Sequence, residues 1–123
     1  MKIVGFVISM LLIVCLSRAQ EAHLANIQQL SFGGDNAEAY FSPNGKQLVF
    51  QSNNKKWGLA CDQIFKLDIA KAAQDSTYMP MRVSNGLGRT TCSYFMPNGQ
   101  DIVYASTFKG SHQCPEVVNM NGK

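Results

Sequence analysis

The feature that most constrains the fold is an internal repeat. Residues 40–52 recur as residues 94–106, at an offset of 54 positions, with both the turn residues and the apolar positions preserved. Each copy contains Pro-Asn-Gly, at 43–45 and again at 97–99. Proline fixes the first central position of a turn, asparagine suits the second, and glycine takes the positive φ that follows. The repeat therefore predicts two β-hairpins with the same turn.

The strand that leaves each turn is apolar on both faces. Leu48 and Phe50 point to one side and Val49 to the other, and residues 102–104 repeat the pattern. A sheet with one face in water would alternate cleanly between apolar and polar residues. We therefore expect these strands to be covered on both sides.

Three more segments have strand patterns. An outer strand is expected at 27–32, a third strand of the repeat at 63–69 and a shorter strand near an edge at 80–84. Residues 68–74 have some helix propensity, but the stretch is too short for more than one helical turn. The repeating unit is thus a four-stranded antiparallel sheet that is apolar on both sides.

Sheets of this kind need neighbours stacked on each face, which is the arrangement of β-propeller blades. The predicted fold class is therefore all-β, with about one and a half to two antiparallel four-stranded blades within residues 27–116. Because propellers usually have four to eight blades, the chain is expected to be a fragment of a longer protein or to associate with copies of itself.

The N-terminal segment has the layout of a secretory signal peptide. Lys2 gives a positive start, residues 3–16 are almost wholly apolar, and residues 17–19 offer small side chains at the positions that a signal peptidase reads. About 14 apolar residues fall short of the roughly 20 that a membrane span needs. Lipid attachment at Cys15 is disfavoured because the residue before it is not small. We predict cleavage after Ala19 and a periplasmic or secreted protein.

Removal of residues 1–19 leaves 104 residues, with a short linker at 20–26 and a tail at 117–123. The formal net charge falls from +3 to +1, since Lys2 and Arg18 are lost with the leader. The remaining basic residues are spread thinly, without the basic patch that nucleic-acid binding requires. We therefore predict no nucleic-acid partner.

The first repeat resembles the TolB-like (WD-repeat-like) β-propeller repeat, in which a strand ending in an aromatic residue is followed by Ser-Pro-Asp-Gly and an apolar strand. The matching segments are 30–32, 37–46, 48–52 and 62–65. Asn44 and Asn98 stand where the family commonly has aspartate, and Met96 replaces the serine of the second turn. The resemblance covers roughly residues 27–108.

This resemblance implies a non-catalytic scaffold that docks protein partners of the cell envelope. Propellers bind at rims and channel mouths, where loops converge on a rigid frame. Related repeats also precede the catalytic domain of prolyl-oligopeptidase-like hydrolases, so the alternative is the N-terminal propeller portion of such an enzyme, with its catalytic domain absent from this chain. A truncated reading frame without a stable fold is the third hypothesis.

The cysteines favour a disulfide over a metal site. Cleavage would leave Cys61, Cys92 and Cys114, and thiols of exported proteins generally oxidise. Three pairings are possible; Cys61–Cys114 is preferred because both residues follow the second strand of their repeats, whereas Cys92 is expected to be buried in the innermost strand. A zinc site with His112 would lack the Cys-x₂-Cys spacing of such sites.

Other candidate site residues are few. No Gly-x-Ser-x-Gly, His-Glu-x-x-His, P-loop or dinucleotide motif is present, so no catalytic residue and no cofactor is predicted. Residues 33–36 with Glu38 lack the oxygen spacing of a calcium loop and are interpreted as a turn. Trp57, at a hairpin tip, is either an anchor for a partner or a side chain that folds back over the sheet.

Overall fold

The computed structural model describes residues 23–116 as an all-β unit built from antiparallel strand pairs. A four-stranded sheet has the order β1-β2-β3-β4, and β5 and β6 form a two-stranded sheet. The strands are β1 (Asn36–Phe41), β2 (Gln47–Ser52), β3 (Gln63–Asp68), β4 (Met81–Arg82), β5 (Thr90–Phe95) and β6 (Ile102–Ser106). A 3₁₀ turn at Lys55–Trp57 joins β2 to β3, and one helix, α1 (Ile69–Gln74), follows β3.

Several predictions concern segments outside the described residues. They are the signal peptide at 1–19, lipid attachment at Cys15, the first part of the linker and the tail at 117–123. Within residues 23–116, no helix has the length and apolar character needed to cross a bilayer.

The repeat seen in the sequence is also a repeat of strand pairing. Every Cα pair of the β1–β2 hairpin has its counterpart in β5–β6 at the same offset of 54, from Asn36↔Ser52 and Thr90↔Ser106 to Phe41↔Leu48 and Phe95↔Ile102. Both hairpins contain a bulge at the same place, where Glu38 and Cys92 each have a φ of 52°. The two hairpins are thus one structural unit used twice.

The predicted turns are confirmed. The Gly45 amide donates to the Ser42 carbonyl at 2.8 Å, and the Gly99 amide donates to the Met96 carbonyl at 2.9 Å. Both glycines adopt the left-handed conformation, with φ of 69° and 68°. Because this conformation strains residues with a Cβ, the glycine of each Pro-Asn-Gly sets the turn.

Strands β2 and β3 of the first sheet are covered on both faces, as the apolar pattern predicts, whereas every residue of β1 is exposed. One face, here called the loop face, packs Phe50, Phe65 and Leu67 against loop and helix residues. The opposite face, the junction face, packs Val49 and Ile64 against the second sheet. Val49 and Ile64 have no exposed surface.

The second sheet is covered on one face only within residues 23–116. Phe95, Ile102 and Tyr104 pack against the junction face of the first sheet. On the other side, here called the outer face, Tyr94 is 56% exposed and Val103 is 54% exposed. The prediction of two covered faces is therefore wrong for this sheet, because strand periodicity does not specify how many sheets are stacked.

The outer strand predicted at 27–32 is not formed. Gly33 and Gly34 turn the chain with φ of 78° and 67°, so the segment crosses the loop face instead of running along a strand edge. Leu30 packs there on the core of the loop face. The Asn54 side-chain amide, and not a neighbouring strand, donates to the Phe32 carbonyl at 3.2 Å.

Two further elements differ from prediction in length. The helix has six residues instead of one turn, because the Asp68 carboxylate accepts from the Lys71 amide at 3.0 Å and Ala72 is buried against the core. The edge strand is confined to Met81–Arg82, since the amides of the next two residues both donate to the Ile64 carbonyl, at 2.9 and 3.4 Å, and interrupt regular pairing.

Candidate functional site

Loops from both sheets converge at one edge of the molecule, here called the loop edge. They are the segment before β1, the β2–β3 loop, the segment before β5 and the segment after β6. Cys61 and Cys114 form a disulfide there, with their Cα atoms 5.9 Å apart. This is the pairing predicted from their positions in the two repeats, and it ties the chain after the second hairpin to the first sheet.

Cys92 is not part of this edge. It lies in β5, as predicted, but it is a free and exposed cysteine, so the prediction of a buried thiol is wrong. The bulge gives Cys92 its positive φ and interrupts the alternation of the strand, which leaves the neighbouring Ser93 buried in its place.

A buried polar network secures the loop edge beneath the disulfide. The Gln63 side-chain amide donates to the Gly88 carbonyl at 2.8 Å, and the Ser84 hydroxyl donates to Gln63 Oε1 at 2.7 Å. The same hydroxyl accepts from the Ile64 amide at 3.0 Å. Gln63 and Ser84 are 3% and 6% exposed, so these bonds form away from water and fix the position of the Gly88 loop.

An ion pair crosses the junction between the two sheets. Arg89 Nε lies 3.3 Å from Asp62 Oδ2, and both side chains are partly exposed. The Asp62 carbonyl also accepts from the Thr90 amide at 2.9 Å, which aligns the start of β5 with the start of β3. The two sheets therefore meet through directed polar contacts as well as through apolar packing.

Beside these contacts is a cleft of about 450 Å³, here called the rim cleft. Both sheets contribute to its walls, which are formed by residues 33–35, 53–56, 60–62 and 89. The Asp35 carboxylate accepts from the Asn53 side-chain amide at 2.9 Å. Lys55 and Lys56 are exposed at its mouth, and neither has an ion-pair partner among residues 23–116. With Lys55, Lys56 and Arg89 set against Asp35 and Asp62, the residues lining the cleft carry a formal net charge of +1.

Asn54, which was not among the residues predicted for a site, organises one wall of the rim cleft. It is 2% exposed; its side chain donates to the carbonyls of Phe32 and Gly33, both at 3.2 Å, and accepts from the Lys56 amide at 3.1 Å. The Asn53-Asn54 pair after a strand is a turn signal that favours capping at this position.

Trp57 folds back over the first sheet. Its ring centroid lies 4.9 Å from that of Phe65, and the side chain is only partly exposed. This packing is the second of the two alternatives weighed for Trp57. Its role as an anchor for a partner stays a prediction.

The chain bends at Gly33 and Gly34, within the segment interpreted as a turn, and Asn36 already begins β1. The Asn36 side-chain amide donates to the Gly33 carbonyl at 3.1 Å. Among the residues described, no group of three or more His, Cys, Asp or Glu side chains is placed to hold a metal ion. The zinc arrangement considered for the cysteines is incompatible with the disulfide, which uses two of its thiols.

Comparison with known proteins adds no identification. The chain matches no protein-family model, no curated protein and no solved structure. The rim cleft is consequently interpreted from its own geometry and charge.

Proposed function

We propose that the two sheets are adjacent blades of a TolB-like β-propeller and that the protein is an exported, non-catalytic, protein-binding scaffold of the cell envelope. The fixed repeat offset, the common register and bulge, and the face-to-face packing of the hairpins support the blade assignment. The Cys61–Cys114 disulfide supports an oxidising compartment outside the cytoplasm.

The rim cleft is the binding surface in this proposal. The observation that carries it is the convergence of loops from both sheets on a cleft of about 450 Å³, braced by the disulfide and the Asp62–Arg89 ion pair. Loops held on a rigid sheet frame recognise partners without first paying the entropy of ordering themselves.

The charge of the rim cleft favours an acidic segment of a partner protein. Asp62 is paired with Arg89, and the exposed Lys55 and Lys56 outnumber the one remaining carboxylate of the lining, Asp35. Opposite charge at the mouth of a cleft steers a partner and fixes its orientation more than it adds affinity. An acidic peptide fits the net charge of this surface.

The test measures binding of labelled peptides by fluorescence anisotropy. The probes are a set of synthetic peptides that mix Glu and Asp with apolar residues, and a matched set in which Lys replaces every acidic residue. We expect saturable binding of the acidic set only. The double substitution Lys55→Glu with Lys56→Glu should weaken it about tenfold, the effect of roughly 1.4 kcal/mol.

The control reverses the charge of two lysines at the opposite end of the first sheet. Lys46 and Lys71 are exposed and do not line the rim cleft, so Lys46→Glu with Lys71→Glu changes net charge equally. It should leave the dissociation constant within about twofold, since exposed charges beyond a Debye length of roughly 10 Å are largely screened. Equal weakening by both double variants, or no binding of the acidic set, would contradict the proposal.

A further inference from the structure

A second cleft, here called the arginine cleft, opens beside the Cys61–Cys114 disulfide. It has a volume of about 380 Å³, and its walls come from the β2–β3 loop and the start of β3, from β4 and the loop after it, and from the segment after β6. It shares Ala60 and Cys61 with the rim cleft. Of the residues that line the arginine cleft, Arg82 is the only one with a permanent charge, and none is acidic.

The Arg82 guanidinium has a defined place in this cleft. The Arg82 backbone is held in β4 by its pairing with Phe65. Its side chain extends over Gly86, where an added Cβ would lie 3.1 Å from the guanidinium carbon and 3.2 Å from each of the two terminal nitrogens. Gly86 also has a φ of +83°, a conformation that residues with a side chain rarely adopt. The glycine therefore leaves the room in which the guanidinium lies.

This guanidinium is not neutralised by the part of the protein that the structure describes. Within residues 23–116, Arg82 makes no ion pair and no hydrogen bond. By contrast, Arg89 at the loop edge pairs with Asp62. An unpaired guanidinium presents its N–H donors in a planar fork, which matches the oxygens of a phosphate or carboxylate group.

The segment after β6 brings two more polar side chains to the cleft. The Gly88 amide donates to the His112 carbonyl at 2.9 Å, and the disulfide anchors Cys114 two residues later. The side chains of His112 and Gln113 are exposed there, and neither makes a hydrogen bond within residues 23–116. Imidazole and amide N–H groups both donate to anions. The arginine cleft thus offers donors from two separate segments of the chain.

The loop between these two segments is braced from within. The Gln63 side-chain amide donates to the Gly88 carbonyl at 2.8 Å, and Asn85 Oδ1 accepts from the Leu87 amide at 2.9 Å. The Gly88 carbonyl is therefore already engaged by a buried donor. A wall that is ordered before binding lowers the entropy cost of holding a ligand.

We propose that the arginine cleft binds a phosphate group, with the Arg82 guanidinium as its anchor and His112 and Gln113 as further donors. Donors on three side chains suit a phosphate group, which has three acceptor oxygens in a monoester, better than a carboxylate, which has two. The volume of about 380 Å³ is typical of small-molecule sites and leaves room for the organic part of a phosphate monoester. The proposal does not depend on what binds in the rim cleft.

The test is a titration of the isotope-labelled protein, followed by two-dimensional NMR, with inorganic phosphate and separately with glycerol phosphate. The protein is expressed from its complete sequence under oxidising conditions, and sodium chloride keeps the ionic strength constant so that screening does not change. We expect saturable shifts of the signals of Arg82, Gly86, Gly88, His112 and Gln113. Binding of either probe supports the site, and the tighter one identifies free phosphate or a monoester as the source.

Arg82→Gln should weaken binding at least about tenfold, because it removes both the charge and the fork. Arg82→Lys keeps the charge without the fork and should weaken binding by less. Arg82 is exposed and unpaired within residues 23–116, so the fold tolerates both changes. Lys46→Gln is the matched control. It removes one positive charge from an exposed residue outside the cleft, and should leave the dissociation constant within about twofold.

Shifts that do not saturate, or that sodium chloride alone reproduces, would overturn the proposal. So would equal weakening by Arg82→Gln and Lys46→Gln. Acetate that binds as tightly as phosphate would also overturn it, because the cleft would then select carboxylates. The NMR spectrum of each variant verifies its fold, and if Arg82→Gln perturbs the fold, His112→Ala with Gln113→Ala repeats the test with the same expected weakening.

Discussion

Asn54 is a single side chain that holds two parts of the loop edge together. It is buried, it caps the 3₁₀ turn after β2, and it bonds the carbonyls at the end of the segment before β1. Gly34 passes directly over it in the left-handed conformation. The close approach of these two backbones brings the segment before β1 to the wall of the rim cleft.

Gly34→Ala should therefore destabilise the protein strongly. A Cβ at this position would lie 2.6 Å from the Cα of Asn54 and 2.9 Å from its amide nitrogen, both backbone atoms that cannot give way easily. The φ of +67° adds the cost of a left-handed non-glycine residue. We expect a loss of about 3 kcal/mol in the free energy of unfolding, measured by urea denaturation.

Gly45→Ala separates the effect of the close contact from the effect of the positive φ. Gly45 has nearly the same φ, +69°, but no atom within 4 Å of an added Cβ. Gly45→Ala should lower the free energy of unfolding by only about 1 kcal/mol, which is the cost of the backbone conformation alone. Equal losses at the two glycines would mean that the contact with Asn54 contributes nothing.

At the scale of the element, the two hairpin turns reach the same shape with different side chains. In the first turn, Ser42 Oγ accepts from the Gln47 amide at 3.0 Å and donates to Asn44 Oδ1 at 2.8 Å. In the second, Met96 occupies the place of Ser42, and Asn98 Oδ1 accepts from the Asp101 amide at 3.0 Å. The asparagine thus replaces the missing hydroxyl, which explains why the second turn tolerates methionine.

Ser42→Ala should cost about 1–2 kcal/mol in unfolding free energy, because Ser42 is 4% exposed and its loss leaves the Gln47 amide without its acceptor. Thermal and urea unfolding measure the change. The counterpart substitution Met96→Ala removes no hydrogen bond at a position that is 42% exposed, and should change stability by less than about 0.5 kcal/mol. A larger loss at Met96 than at Ser42 would refute this account of the turns.

At the scale of the whole molecule, the two sheets are joined by a small apolar junction and by the polar contacts at the loop edge. The buried residues of the junction are Val49, Ile64 and Phe95. The disulfide lies at the periphery of this junction and closes a long loop, with a sequence separation of 53 residues. We therefore expect the disulfide to contribute more to the free energy of unfolding than this small apolar junction would suggest.

Cys61→Ser with Cys114→Ser should lower the free energy of unfolding by about 4 kcal/mol, the loop-closure entropy that a cross-link of this length removes from the unfolded chain. Urea denaturation measures the loss, and adding a reductant to the parent protein should reproduce it. Cys92→Ser is the control. Because this cysteine is free and exposed, its substitution should change the free energy of unfolding by no more than about 0.5 kcal/mol. A stability unaffected by reduction would contradict the role of the disulfide.

The local parts of this fold could be predicted from the sequence. The turns at Gly45 and Gly99, the hairpins around them and the strand at β3 depend on neighbouring residues, whose backbone preferences act whatever surrounds them. The pairing of Cys61 with Cys114 also followed from their positions in the repeat. The rim cleft was not predictable, because its wall depends on hydrogen bonds from Asn54 to carbonyls 22 and 21 residues earlier in the sequence.

The sequence alone determined the repeating hairpin, since alternation and turn chemistry are properties of short segments. Only the tertiary structure decided which apolar faces are buried. Val49 and Val103 occupy the same place in the same pattern, yet one has no exposed surface and the other is 54% exposed. Burial depends on whether another sheet is stacked on that face, and the periodicity of a strand does not specify whether such a sheet is present.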